Sequence, residues 1–218
     1  MPRSLRFEYP GALYHVTARG VGRGAIFLDD RDRSSLLSIM ARILKACDAH
    51  VFAYCLMGNH YHFVLQTRRA NLAVLMRRVN SLHSLTFNRR HDRTGHVFEG
   101  RYTALHVDQD AYLLEVCRYV DLNPVRAGLV ECPEQWNWSS YRAHTGMTPW
   151  PSWLATSELH GALMGRVPED VAQSDSACRR YADWVDAGRG VQLWRKALRR
   201  GAYLGDEAFV DRVERIGK

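Results

Sequence analysis

The sequence predicts an α+β fold, with an antiparallel sheet laid down in the order β-α-β-β-α-β, an added helix, and a mostly helical C-terminal tail. Three observations support it. Two strand-like runs, Val51–Leu56 and Tyr61–Leu65, flank a Gly58-Asn59 turn, the pattern of a hairpin. Apolar residues recur at helical spacing on both sides of that hairpin: Leu36, Leu37, Met40, Ile43 and Leu44 before it, Leu72, Leu75, Met76, Val79 and Leu82 after it. Further strand patterns open and close the set, at Tyr14–Ala18 and within Val97–Val107.

Each element has its local reason. The first strand runs into Arg19-Gly20-Val21-Gly22-Arg23-Gly24, a glycine-rich turn without the G-K-[ST] ending of a nucleotide-binding loop. Asp30 or Asp32 is placed to cap the first helix, since an aspartate oxygen accepts from the free amides of a first turn. The second helix is expected from Leu72 to Phe87. A third begins near Asp108 or Asp110, presents Tyr112, Leu113, Val116 and Tyr119, and must end by Asn123, because Pro124 disfavours helical geometry in the residue before it. This order is that of a ferredoxin-like split βαβ unit. From about Met147 the texture changes, through Pro149, Trp150, Pro151 and Trp153, to short helices expected near Ser174–Ala187 and Gln192–Arg199. The chain therefore divides into a catalytic unit, 1–146, and a helical tail, 147–218, which is expected to cover or support the site without supplying catalytic groups.

Composition narrows the function classes. A 46% hydrophobic content supports a packed core, and no run of apolar residues is long enough to span a membrane. Met1–Arg6 is basic but lacks an apolar stretch behind it, so no signal peptide is visible. The cysteines Cys47, Cys55, Cys117, Cys132 and Cys178 are scattered, without a C-x-x-C pair, which argues against a disulfide framework or a cysteine zinc site. The expected location is cytoplasmic, with no membrane partner. A net charge of +7 favours a polyanionic partner. Lys45, Lys196 and Lys218 are the only lysines, so arginine dominates, and its planar fork suits phosphates and bases. Most of the charge sits in one stretch, where Arg68, Arg69, Arg77, Arg78, Arg89, Arg90, Arg93 and Arg101 face only Asp92 and Glu99.

Two constellations carry chemistry. His60-Tyr61-His62 places two imidazoles on one face of a strand, because residues two apart point the same way; Tyr61, Phe63 and Leu65 take the other face. Paired imidazoles are a ready site for a divalent ion, although histidines also occur in sheets for packing alone. Tyr119 and Asn123 lie four apart, so a phenol and an amide are presented together. Here too, a core aromatic and a helix-terminal asparagine would read the same way.

The blocks Leu56-Met57-Gly58-Asn59-His60-Tyr61-His62, Phe87-Asn88-Arg89-Arg90, Gly95-His96-Val97-Phe98-Glu99-Gly100-Arg101-Tyr102 and the run from Cys117 to Val130 stand in the order and approximate spacing of one family. The chain resembles the REP-associated tyrosine transposases, relatives of the single-tyrosine transposases of small bacterial insertion sequences. These belong to the HUH endonucleases, named for a His-hydrophobic-His metal motif. The likeness runs from about Tyr14 to Tyr141; Gly58 stands where proline is common, and Tyr61 is only partly apolar. The resemblance implies an enzyme that nicks and rejoins single-stranded DNA, on hairpin-forming repeated extragenic sequences. It implies Mg²⁺ or Mn²⁺ held by His60, His62 and Asn123, and Tyr119 as the nucleophile of a 5′-phosphotyrosine intermediate. Glu99 and Asp121 stand as further candidates for metal ligation or support, and His96 for DNA contact. The protein is expected as a monomer or a homodimer. Two rival readings are a non-catalytic single-strand-binding protein and a metal nuclease that activates water.

Overall fold

A computed structural model describes residues 7–191, 198–199 and 201–216. Its centre is a hairpin, β2 (Ala49–Leu56) and β3 (His60–Thr67), joined through Met57-Gly58-Asn59 and closed by Met57 N–H donating to the His60 carbonyl at 2.9 Å. Strand β1 (Ala12–Arg19) lies antiparallel to β3, and β4 (Thr103–Val107) antiparallel to β1, giving the order β2-β3-β1-β4. Helices α1 (Asp30–Cys47) and α2 (Leu72–Arg90) connect the strands as the periodicity predicts. The cap of α1 is Asp29, one residue before the expected pair: its carboxylate accepts from Arg31 and Asp32 amides. Asp32 instead turns inward, where it is 2% exposed and bonded to His91 and Arg90. The last strand fills only the end of the expected Val97–Val107 stretch, since residues 95–102 fold back over β1 through Val21 N–H to Val97 O and Glu99 N–H to Arg19 O.

The sheet separates two apolar layers. Tyr14, Val16, Tyr61, Phe63 and Leu65 face α1 and α2. Leu13, Val64, Phe52, Ala53 and Cys55 face α3 (Gln109–Asp121), through its Leu113, Val116, Cys117 and Val120. A bulge in β2 between Val51 and Ala53 explains why the adjacent Phe52 and Ala53 share one layer: an extra residue shifts the alternation by one. In the turn after β1, Gly20 is required sterically, because a Cβ there would lie 2.0 Å from the Gly24 carbonyl oxygen.

After α3 come the short turns α4 (Asn123–Arg126) and α5 (Tyr141–His144), then α6 (Thr156–Met164) and α7 (Val171–Asp186). Strands β5 (Leu198–Arg199) and β6 (Tyr203–Leu204) extend the sheet beyond β4, to which β6 runs parallel, and α8 (Glu207–Ile216) follows. The helix expected over Gln192–Arg199 lies largely outside the described residues, and its last two residues form β5 rather than helix. Helices α6 and α8 were not anticipated. Residue 146 is no packing boundary: Leu159, Tyr181, Val185 and Leu204 are fully buried against α3 and the sheet. No helix among the described residues is long and apolar enough to cross a membrane.

Candidate active site

The β1–β3 register places Thr17 opposite His62 and Arg19 opposite His60, so both histidines emerge on the α3 side of the sheet, as the alternation predicts. Their ring centroids lie 5.0 Å apart. Tyr119, on α3, closes the group: its ring stands edge-on to His62 at 6.1 Å and to His15 at 6.0 Å. The structure therefore brings His60, His62 and Tyr119 together across a sequence separation that only the sheet and α3 can bridge.

Asn123 begins α4, one turn beyond Tyr119. Its amide nitrogen donates to the Tyr119 carbonyl at 3.0 Å, with a longer contact to Val120 O at 3.4 Å. Both bonds use nitrogen, which leaves the side-chain oxygen as the end that can accept a ligand.

Burial sets the protonation of the histidines. It lowers the His60 pKa to about 4, with the Arg19 charge adding to the effect. For His62, 7% exposed, burial and then the neighbouring His15, His60 and Arg19 hold the ring well below the ordinary histidine range. Both imidazoles are thus neutral at physiological pH, the form that ligates metals. The Nε2 of His62 is buried with no hydrogen-bond partner among the described residues. An orphaned imidazole nitrogen in a group of neutral histidines fits a cation that would complete it. No group of three or more His, Cys, Asp and Glu side chains converges on a metal position among the described residues. A cation here would draw on two imidazoles, the Asn123 amide oxygen and oxygens of a substrate.

Three residues of the site carried little weight in the sequence. His15 reaches His62 directly, Nε2 to Nδ1 at 2.9 Å, with the rings stacked at 5.2 Å. Asn59 Oδ1 lies 2.7 Å from His60 Nδ1. Arg126 stands over the Tyr119 ring, Cζ 4.9 Å from its centroid, and its guanidinium donates to the Val191 carbonyl at 2.7 Å. A signal existed for each: His15 shares the inward parity of Leu13 on β1, Asn59 adjoins the histidine pair, and Arg126 is two helical turns from Tyr119.

Asp121, considered above as a metal ligand or support, points elsewhere. It is fully buried and accepts from Ser140 Oγ at 2.7 Å and Tyr181 OH at 2.8 Å. Burial pushes its carboxyl up to about 7, although those hydrogen bonds oppose the shift. Asp121 ties α3 to α7 and, through Ser140 bonded to Tyr54, to β2. Glu99 is exposed, and its amide pairs with Arg19.

The arginines of the run from Arg68 to Arg101 do not gather around the histidines. Helix α2 covers the opposite face of the sheet, so Arg77, Arg78 and Arg89 are displayed there, all exposed. Arg77, His96 and Arg101 line a groove of about 1140 Å³ between α2 and residues 95–102. Arg93 lies over the Phe87 ring. Arg68 and Arg69 reach Asp48 at 3.8 and 3.7 Å. Arg90 is engaged by Asp29 and Asp32, which joins the end of α2 to the start of α1.

Comparison with known proteins bears on the fold and the family. A solved REP-associated tyrosine transposase bound to a REP hairpin matches with a TM-score of 0.59 at 15% identity, covering 71% of this chain and 92% of that one, which shows a shared fold. Two other solved structures match with lower scores: a putative transposase from Deinococcus radiodurans (TM-score 0.38, 15% identity, 56% of this chain and 95% of that one) and tRNA(His) guanylyltransferase from Saccharomyces cerevisiae (0.37, 12%, 87% and 86%). No curated protein matches the chain. The family model of IS200-like transposases matches residues 9–123, just over half of the sequence and the stretch that holds β1, the histidine pair, Tyr119 and Asn123, and the chain belongs to that family.

Proposed function

We propose that the protein nicks and rejoins single-stranded DNA through a covalent bond to Tyr119, at a divalent-metal site formed by His60, His62 and the Asn123 side-chain oxygen. The observation that carries this reading is the meeting of Tyr119 with the histidine pair on one face of the sheet. A bound Mg²⁺ or Mn²⁺ would polarise the scissile phosphate and offset its charge. The protein's own groups do the rest. Tyr119 supplies the attacking oxygen, which gives up its proton to solvent and bonds to phosphorus while the 3′ oxygen of the upstream strand departs and takes a proton. The product is a 5′-phosphotyrosine and a free 3′-hydroxyl, and attack by a 3′-hydroxyl reverses the step without an external energy source. Arg126, over the Tyr119 ring, favours negative charge developing on the phenol oxygen. Asn123, bonded to the Tyr119 carbonyl, holds the nucleophile's helix end in register with the amide ligand.

The DNA partner is inferred from the exposed arginines of α2 and the 95–102 segment, and hairpin-forming repeats from the solved relative's bound REP hairpin. Placement in the cytoplasm and action as a monomer or homodimer belong to the same reading. Replacing Tyr119 by Phe tests it. The ring and its packing remain, so DNA binding should persist while cleavage is lost. Cleavage at an undiminished rate would favour a water-activating nuclease, and no cleavage by the unaltered protein on any hairpin substrate would favour a binding protein.

A further inference from the structure

His60 and His62 each have one ring nitrogen already engaged, and the partners differ in kind. For His60 the partner is Asn59 Oδ1, at 2.7 Å. The orientation of that amide is fixed independently, because Asn59 Nδ2 donates to the Arg23 carbonyl at 3.0 Å. An amide oxygen only accepts, so the His60 proton resides on Nδ1 and its Nε2 carries a lone pair. For His62 the partner is another imidazole, His15, and either ring could donate across the 2.9 Å contact. The opposite nitrogens, His62 Nε2 and His15 Nδ1, are both buried, and one of them carries the remaining proton. Ligation by His62 beside His60 requires a lone pair on His62 Nε2, so the metal reading assigns the proton to His62 Nδ1, donated to His15 Nε2.

His15 reaches this position because it sits opposite Val64, diagonal to His62 on the neighbouring strand, within range of a long side chain. The two rings are 5° from parallel, and Tyr119 rests edge-on against both.

We propose that His15 and Asn59 are positioning residues that hold the single proton of His62 and of His60 on Nδ1, so that both Nε2 lone pairs are presented to one divalent ion. The inference rests on the metal reading above. It adds the two residues that prepare the ligands before any ion arrives. A buried imidazole is an unusual acceptor for this task, which carbonyls and carboxylates more often perform. It keeps His62 oriented without placing a negative charge beside the incoming phosphate.

The test uses the full chain, metal-free and labelled with ¹⁵N-histidine, in long-range ¹H–¹⁵N correlation spectra at neutral pH, together with Mn²⁺ titration calorimetry. The wild type should show protonated Nδ1 and unprotonated Nε2 for both His60 and His62. In His15→Leu, His62 should shift toward the Nε2–H form, and Mn²⁺ affinity should fall by about 10- to 100-fold, the range for loss of a ligand's supporting partner. Unmoved His60 signals would show that the fold survives. His15→Gln, which retains an acceptor oxygen, should recover most of the affinity.

An Nε2–H signal for His62 in the wild type would overturn the inference even if His15→Leu did not fold. So would unchanged Mn²⁺ affinity in His15→Leu. A wild type that holds both Nδ1–H forms yet takes up no Mn²⁺ would uphold the positioning of the protons and overturn the metal reading beneath it.

Discussion

Ending the chain after Met147 should unfold the remaining domain. Four side chains beyond that point are at most 1% exposed and pack against α3 and the sheet: Leu159, Tyr181, Val185 and Leu204. Burying one such side chain contributes about 1.5–3 kcal/mol, so their loss removes about 6–12 kcal/mol. That is comparable with the whole folding free energy of a typical domain, about 5–15 kcal/mol. The truncation also removes the Tyr181 hydroxyl from Asp121, leaving a buried carboxyl one hydrogen bond short at the end of α3. Urea unfolding followed by circular dichroism, with an amide spectrum of each chain, measures the outcome. The shortened protein should lack a cooperative transition. Tyr181→Phe should keep the transition at a cost of about 1–3 kcal/mol. A truncated chain that unfolds cooperatively near wild-type stability would refute this reasoning and make 147–218 a separable unit.

The arginines should divide into two groups. Replacing Arg77 and Arg101 by Ala should flatten the salt dependence of single-strand binding by about 0.7 log unit per lost phosphate contact, whereas Arg90→Ala should lower thermal stability and leave that slope nearly unchanged, since Arg90 is held by Asp29 and Asp32; equal slopes in all three variants would argue against a phosphate track along α2. His144 is fully buried, and burial lowers its pKa to about 3. A depressed histidine favours the folded state above its unfolded pKa near 6.5 and loses that contribution as pH falls toward 3, so going from pH 7 to pH 5 should cost the wild type about 2 kcal/mol more than His144→Gln, as read by urea unfolding. Arg126→Gln should slow cleavage about tenfold, less than the hundredfold or more typical of a fully buried donor, with DNA affinity retained; a wild-type rate would remove Arg126 from the chemistry. His60→Ala and His62→Ala should each abolish cleavage in Mg²⁺ or Mn²⁺ while hairpin binding, measured by gel shift, persists.

Much of the fold was legible because short-range physics writes it into the chain. The parity of His60, Tyr61 and His62 follows from strand geometry, and the structure keeps it: His60 and His62 face α3, while Tyr61 packs under α2 and bonds Asn80. Helix α3 does end ahead of Asn123, at Asp121, but Asn123 opens the helical turn α4 directly before Pro124, so the proline's effect on its preceding residue is not what ends α3. What remained hidden depended on long-range partners. Nothing local to His15 reveals that β1 will lie beside β3 and bring it to His62. Asp121 reads as one more acidic residue of a functional block until Ser140 and Tyr181, distant in sequence, close around it. Arg90 looked like its neighbours in a basic run; only the packing of α1 against α2 shows that Asp29 and Asp32 neutralise it. The tail also holds a buried stripe, Ala177, Cys178, Tyr181 and Val185, at the helical spacing of a core face.

The central claim, that Tyr119 forms the covalent link, is tested most directly by mass spectrometry after the full-length protein is incubated with a single-stranded hairpin substrate and Mg²⁺ or Mn²⁺. A protein–DNA adduct should form, joined through the 5′ phosphate of the downstream strand and mapping to the peptide that contains Arg118-Tyr119-Val120, present in Tyr112→Phe and absent in Tyr119→Phe. Strand cleavage without an adduct, or an adduct that persists in Tyr119→Phe, would contradict that claim.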